Sequence, residues 1–302
     1  MDLPVRLEED VGPQLDVAVT AATSEGAAAP GGSGVASLPP TDITAHVASQ
    51  NVNLSAALRV AAGAAQAAGD GIVLRIGSAG PLVRRLTAGN EGVAVGGKAG
   101  VEVSVRQMRL PIDGSAATLD GVFGDVRAEI TDVAVEAEGQ RIDVPRATIA
   151  ALLPPNEGAR ATLDVRLAHV RNPFAVTGDL ALPRLRQRWP LSEGTAPLEG
   201  LLRFEPRGRL RVEGAPGSLA VFVPALTGEP AGPADVQGHL TALARSLLGQ
   251  RVDVSVEVAP DAAVAATDGP TPARITAGVY AASAAVEARA GLRPEALVLD
   301  QA

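Results

Sequence analysis

Val101-Glu102-Val103-Ser104-Val105-Arg106-Gln107-Met108-Arg109-Leu110 is the stretch that decides the fold. Val101, Val103 and Val105 alternate with polar residues, one extra residue intervenes, and Met108 and Leu110 resume the apolar phase. Strict alternation places every second side chain on one face of a β-strand. The extra residue leaves the apolar set on that face only if the strand carries a bulge. The phrase recurs. Val126, Ala128 and Ile130 slip and resume at Val133, Val135 and Ala137, and Leu163, Val165 and Leu167 slip to Val170. Val252, Val254, Val256 and Val258 alternate without a slip. Repeated long, bulged strands imply a strongly twisted or curled sheet.

Outward from these runs the chain continues in the same style. Ile43, Ala45 and Val47, then Val52 and Leu54, read as strands. So do residues 116–122, 139–149, 174–182, 199–205, 208–213, 274–281, 284–290 and 297–299, with Gly, Pro, Asn and Asp in the gaps. Helices are few. Leu240, Leu243, Ala244, Leu247 and Leu248 follow a helical period that Gly249 stops, and short helices are expected at 58–68, 79–87 and 218–226. Residues 1–21 form an N-terminal strand segment, the small, Gly/Pro-rich residues 22–40 a linker or long loop, and 41–302 one extended region. The expected fold is all-β: an elongated, curled antiparallel meander, a β-groove, with a few short helices. Some fourteen strands at ~4.8 Å spacing would make a sheet about 65 Å long, with ten-residue strands of about 33 Å.

Composition narrows the chemistry. The 302 residues are 46% hydrophobic but only 2% aromatic, so Ala, Val and Leu supply the apolar surface. Such a core needs many shallow contacts instead of a few large anchors, which favours an extended sheet. Lys98 is the only lysine among 26 basic side chains, an arginine bias that weakens any argument from one Arg alone. The net charge of −8 lacks the basic footprint of a nucleic-acid binder, so no nucleic-acid partner is expected. With no cysteine, disulfides, iron–sulfur clusters and thiol catalysis fall away. Met1–Glu9 has no basic start followed by an apolar run, so no signal peptide is read there, and no apolar run approaches the ~20 residues that span a bilayer. The chain is read as cytosolic, or as a segment of a longer exported chain.

Few motifs invite a catalytic reading. Gly92, Gly97 and Lys98 match the G-x-x-x-x-G-K frame of a phosphate-binding loop. That loop needs a following helix and a hydroxyl residue for Mg²⁺. Here Ala99 takes the hydroxyl position and a strand follows, so a Gly-rich hairpin connection is the better reading. His46, His169 and His239 stand alone, without ligand spacing, and are read as strand-face residues. No catalytic residue, metal ligand or cofactor is assigned. Arg184, Arg186 and Arg188 would share one face of a strand opposite Leu185, Gln187 and Trp189. They form either a patch for anionic headgroups or an acidic partner, or a plain solvated face.

Gly124-Asp125-Val126-Arg127-Ala128-Glu129-Ile130-Thr131-Asp132-Val133-Ala134-Val135, then Gly139-Gln140-Arg141-Ile142-Asp143-Val144, resembles the AsmA/TamB-like envelope proteins, and so does Gly208-Arg209-Leu210-Arg211-Val212-Glu213-Gly214. The resemblance covers residues 41–300 and lies in strand length, G-x-φ-x-φ-x-G phrasing and short interspersed helices. It implies a curled sheet whose apolar groove holds phospholipid acyl chains. It also implies a non-enzymatic role in phospholipid transport or outer-membrane assembly, with other envelope proteins as partners. Such proteins carry an N-terminal membrane helix that this chain lacks. The resemblance therefore implies a periplasmic location only if the chain is a fragment of an anchored protein. The groove would be lined by Val101, Val103, Val105, Val126, Ile130, Leu163, Val165, Leu167, Val252, Val254 and Val256, all of which fit ordinary core equally well. Two other readings stay open: a structural or binding β-sandwich or repeat segment of a surface protein, whose apolar faces close on each other, and a carboxylate-dependent hydrolase, which needs two buried carboxylates facing a cleft.

Overall fold

The computed structural model describes residues 12–23, 39–80, 93–112, 119–137, 140–168, 174–191, 195–215, 246, 249, 251–261, 270–282, 284–293 and 297–301. Fourteen strands run through them: β1 (Leu15–Thr23), β2 (Thr41–Ser49), β3 (Val52–Ala61), β4 (Ala64–Ile76), β5 (Val93–Pro111), β6 (Phe123–Ala137), β7 (Gln140–Leu153), β8 (Ala159–Ala168), β9 (Phe174–Leu182), β10 (Arg207–Gly214), β11 (Val252–Pro260), β12 (Ala273–Ala281), β13 (Ala285–Leu292) and β14 (Leu297–Gln301). Two short helices, α1 (Leu185–Arg188) and α2 (Pro197–Arg203), lie between β9 and β10.

All fourteen strands belong to one sheet whose spatial order is their sequence order, each strand antiparallel to the next. β1 and β14 are the two edges, so the sheet is an open meander about 60 Å across its strands. The expected all-β, elongated antiparallel fold is what the chain adopts. A sandwich would have split these strands between two facing sheets.

Register explains why the faces differ. Following paired residues from β1 to β13 traces one unbroken row: Val17, Val47, Leu54, Leu74, Val103, Ala128, Ile149, Leu163, Gly178, Leu210, Val256, Ala277 and Ala288. One residue along, on the other face, the row from Asn53 reads Arg75, Glu102, Glu129, Thr148, Asp164, Thr177, Arg211 and Ser255. Cross-strand ion pairs tie this second face, among them Arg75–Glu102 at 2.8 Å, Arg146–Glu129 at 2.7 Å and Arg209–Glu257 at 3.1 Å. Each is exposed and individually weak, because water screens it. The partition of faces is the hydrophobic-in, polar-out pattern of an antiparallel sheet with one solvated side.

The phase slips are bulges. β5 and β6 lose register between Val105 and Gln107, where Arg106 is the extra residue, and again between Gly97 and Gly100. At the second site Gly97, Ala99 and Asp132 all have positive φ (84°, 49° and 54°). The G-x-x-x-x-G-K frame therefore ends in a bulge inside β5, not in a hairpin connection as the spacing suggested. The slip toward Val170 lies outside the described residues, as do His169 and His239.

Four further expectations are corrected. Residues 58–68 are not a helix: they complete β3, turn, and begin β4. Residues 199–205 are not a strand. Pro197 starts α2, its fixed φ suiting the first helical turn, Glu199 bonds Arg203 one turn on at 2.8 Å, and Leu202 is fully buried. Arg184–Arg188 is not a strand either: α1 occupies it and stops at Trp189, which Pro190 forces toward extended backbone. Within 116–122, the described residues 119–122 form a turn closed by the Val122 amide on the Leu119 carbonyl. The expected helices at 218–226 and around 240–248, and 81–87 of the expected helix 79–87, lie outside the described residues, apart from Ser246.

Candidate functional site

The apolar face is the feature with no covering partner among the described strands. Its side chains are only half-buried: Ile149 is 48% exposed, Leu210 42%, Val126 39% and Val256 38%. Neighbouring strands shield each side chain from the flanks, and no second sheet among the described residues caps it. The face is concave in its middle. One cavity of about 360 Å³ is lined by Val105, Met108, Leu110, Gly124, Val126, Ala151, Ala161, Leu180 and Leu182, with neighbours from the same strands. A second, of about 460 Å³, is lined by Ile149, Ala161, Leu163, Gly178, Leu180, Gly208, Leu210, Val256 and Val258 among others. Ala161 and Leu180 belong to both, so the two join into one trough running obliquely from β5 to β11. Each is within the ~300–1,000 Å³ range of small-molecule sites.

The eleven expected groove residues all fall on this face by register. Val101, Val103 and Val105 lie opposite Ile130, Ala128 and Val126. Leu163, Val165 and Leu167 lie opposite Gly178, Val176 and Phe174. Val252, Val254 and Val256 lie opposite Gly214, Val212 and Leu210. They do not share one environment. Val105, Val126, Leu163 and Val256 line the cavities. Leu167 and Phe174 are buried in a small cluster with Val144, Val165, Val176 and Val212, and Val252 is also buried. That end of the face is ordinary core.

Three glycines belong to the trough without having been anticipated: Gly124 in the first cavity, Gly178 and Gly208 in the second. The signal was present, since Gly178 interrupts the run Phe174, Val176, Leu180, Leu182 at an apolar position.

The three arginines expected to share a face do not do so. Arg184 pairs with Glu205 at 3.4 Å and donates to Gln187 Oε1. Arg186 reaches across the rim of the trough and donates to four backbone carbonyls: Nε to Glu157 O at 2.6 Å, Nη1 to Leu119 O, and Nη2 to Val122 O at 2.5 Å and Pro154 O at 2.6 Å. It fastens the β5–β6 and β7–β8 turns to α1. Val122, itself one of these acceptors, and Leu153, which precedes the acceptor Pro154, line the first cavity. Arg186 is therefore a clamp on the trough wall, with four of its five N–H donors spent on protein carbonyls, not a member of an anion patch.

The register rows on the trough floor contain no ionisable side chain between Leu74 and Ala277, while Arg160 borders the first cavity and Thr162, Asp179 and Arg209 border the second from the alternate strand positions. A third cavity of about 390 Å³, at the β5–β6 double bulge, is polar, with Lys98, Asp132 and Asp143 around it. His46 sits on the opposite face of β2, paired in register with Ala18 and Ser55. No helix among the described residues is long and apolar enough to cross a membrane. No protein-family model matches the chain, and no curated protein or solved structure matches it.

Proposed function

We propose that this chain is a non-enzymatic lipid-accommodating segment of an envelope protein, in which the concave apolar face covers phospholipid acyl chains during phospholipid transport or outer-membrane assembly. The observation that supports this reading is the single apolar row carried without a break across thirteen strands and left half-exposed. Apolar area in water costs about 25 cal/mol per Å², so a continuous patch of this extent calls for an occupant. The occupant must be apolar along its length, because the trough floor presents neither charge nor a side-chain hydrogen-bonding group along that row. It must also be elongated, because the two cavities overlap on β7–β9 and together run from β5 to β11. An acyl chain meets both demands, and the AsmA/TamB-like texture of the strands points the same way. The opposite face, laced with Arg–Glu and Arg–Asp pairs, is suited to water.

Native mass spectrometry of the chain purified in mild conditions tests the reading. Bound phospholipid is the expected result. A lipid-free protein with intact β circular dichroism would overturn it.

A second reading, a binding surface built by strand addition, is favoured by β1. All nine of its residues are exposed, and Asp16 is its only charged residue, with neither Lys nor Pro to discourage pairing. Concentration-dependent dimerisation, abolished by V19K, would support it over the first.

A further inference from the structure

Strand glycines in this sheet differ in what holds them, and some, such as Gly100, Gly214 and Gly278, are crowded by neighbouring side chains. Gly71, Gly97 and Gly208 are required by the backbone: a Cβ added to any of them would lie 2.1–2.3 Å from a neighbouring main-chain oxygen, and Gly71 and Gly97 also have positive φ. Gly124 and Gly178 are not. A Cβ on Gly124 would meet only the Gln107 carbonyl oxygen, at an ordinary 3.7 Å. One on Gly178 would meet the far end of the Leu210 side chain at 3.2 Å, which a flexible side chain accommodates. Neither has positive φ. A glycine inside a strand marks a bulge, a close backbone approach or a place where a ligand approaches. Pairing continues on both sides of these two positions, and the bulge near Gly124 belongs to Arg106 of the facing strand. No backbone atom comes closer than 3.6 Å to either added Cβ, so the backbone does not demand glycine at these positions, and both open onto the cavities.

Both glycines lie on the apolar face, one in each cavity. Each cavity spans five strands, β5 to β9 and β7 to β11, or about 20 Å. One lipid tail reaches about 15 Å, half of the ~30 Å hydrocarbon core of a bilayer. Each cavity is thus long enough for one tail, and the shared Ala161 and Leu180 are where two tails would meet.

We propose that Gly124 and Gly178 are tail-seating positions, each admitting one acyl chain against the sheet backbone, so that the trough holds two chains in separate seats. This inference rests on the acyl-chain reading above. Its test is a fluorescence titration of the delipidated chain with cis-parinaric acid, comparing wild type, G124L, G178L and the double variant. The expected result is the loss of one bound equivalent in each single variant and of two in the double, with circular dichroism unchanged. A single variant that loses no equivalent, or loses both, overturns the two-seat proposal. Wild type that takes up no parinaric acid overturns the acyl-chain reading itself, so the two failures are distinct. Should a leucine variant lose the β circular dichroism, G124A and G178A replace it. Each should weaken one seat only, and equal weakening of both seats would overturn the proposal.

Discussion

Arg186 illustrates how much one side chain can organise in a sheet poor in large anchors. Its planar fork satisfies four carbonyls in two turns that are 29 to 67 residues away in sequence. Arg186→Ala should lower the unfolding free energy by about 2 kcal/mol, the scale of a charge-assisted hydrogen bond whose acceptors can rehydrate at the rim. Arg186→Lys should recover little, because an ammonium cannot fork. Urea midpoints at unchanged slope measure both. The solvated face offers a pH-dependent case. Arg59 holds Asp42 through hydrogen bonds of 2.8 and 2.9 Å, and this contact, with its charge, lowers the Asp42 carboxyl below its ordinary value. A carboxylate depressed in the folded state stabilises the fold above the unfolded value, about 3.9 for Asp. That contribution is lost as pH falls through the lower folded value. Carboxyl NMR titration should find Asp42 below the ordinary range and R59Q should return it there. At this scale the sequence was a poor guide. The Arg184/Arg186/Arg188 spacing looked like a strand face because alternation is blind to a four-residue helix, and carbonyl partners leave no mark in a sequence.

The β3–β4 hairpin shows why one element was misread and another was not. Ala61 pairs with Ala64, and the two residues between them, Ala62 and Gly63, have φ of 48° and 71°. Two positive φ values in a two-residue loop are the type I′ arrangement, whose usual sequence is Asn-Gly. Ala-Gly within an Ala-rich segment gives no such signal, and alanine's helix propensity pointed to a helix over 58–68. Ala62→Asn should therefore stabilise the protein by about 1 kcal/mol, the cost an alanine bears in the left-handed region. A higher thermal midpoint is the expected observation, and an unchanged one would place the strain elsewhere. By contrast, the bulge at Arg106 was legible, because a phase slip between Val105 and Met108 has no other solution that leaves both on one face. For α2 the decisive cues were Pro197 at the helix start and the i, i+3, i+4 spacing of Leu198, Leu201 and Leu202, which strand rhythm in the flanking segments masks.

For the whole molecule, alternation legibly specified one apolar and one polar face on the long central strands, whereas the strand count agreed only because two segments wrongly read as strands, 116–122 and 199–205, offset β4, part of which was read as a helix. Whether the apolar face meets protein or stays open was not legible, since the same alternation would fit a sandwich core. Leu163, Val165 and Leu167 themselves pass from a partly exposed trough to a buried cluster within one strand. The openness comes from topology: each strand pairs with its sequence neighbours and the edges do not meet. Adjacent residues of one central strand provide the most direct test of what the open face covers. Ile149 points into the trough, and Thr148 lies on the opposite face in register with Glu129 and Asp164. Benzoylphenylalanine placed at each position in turn, with irradiation in cells and mass analysis of the adducts, reads the two faces separately. The account predicts phospholipid adducts from position 149 and none from position 148; protein adducts alone at 149, or equal lipid labelling at both positions, would contradict it.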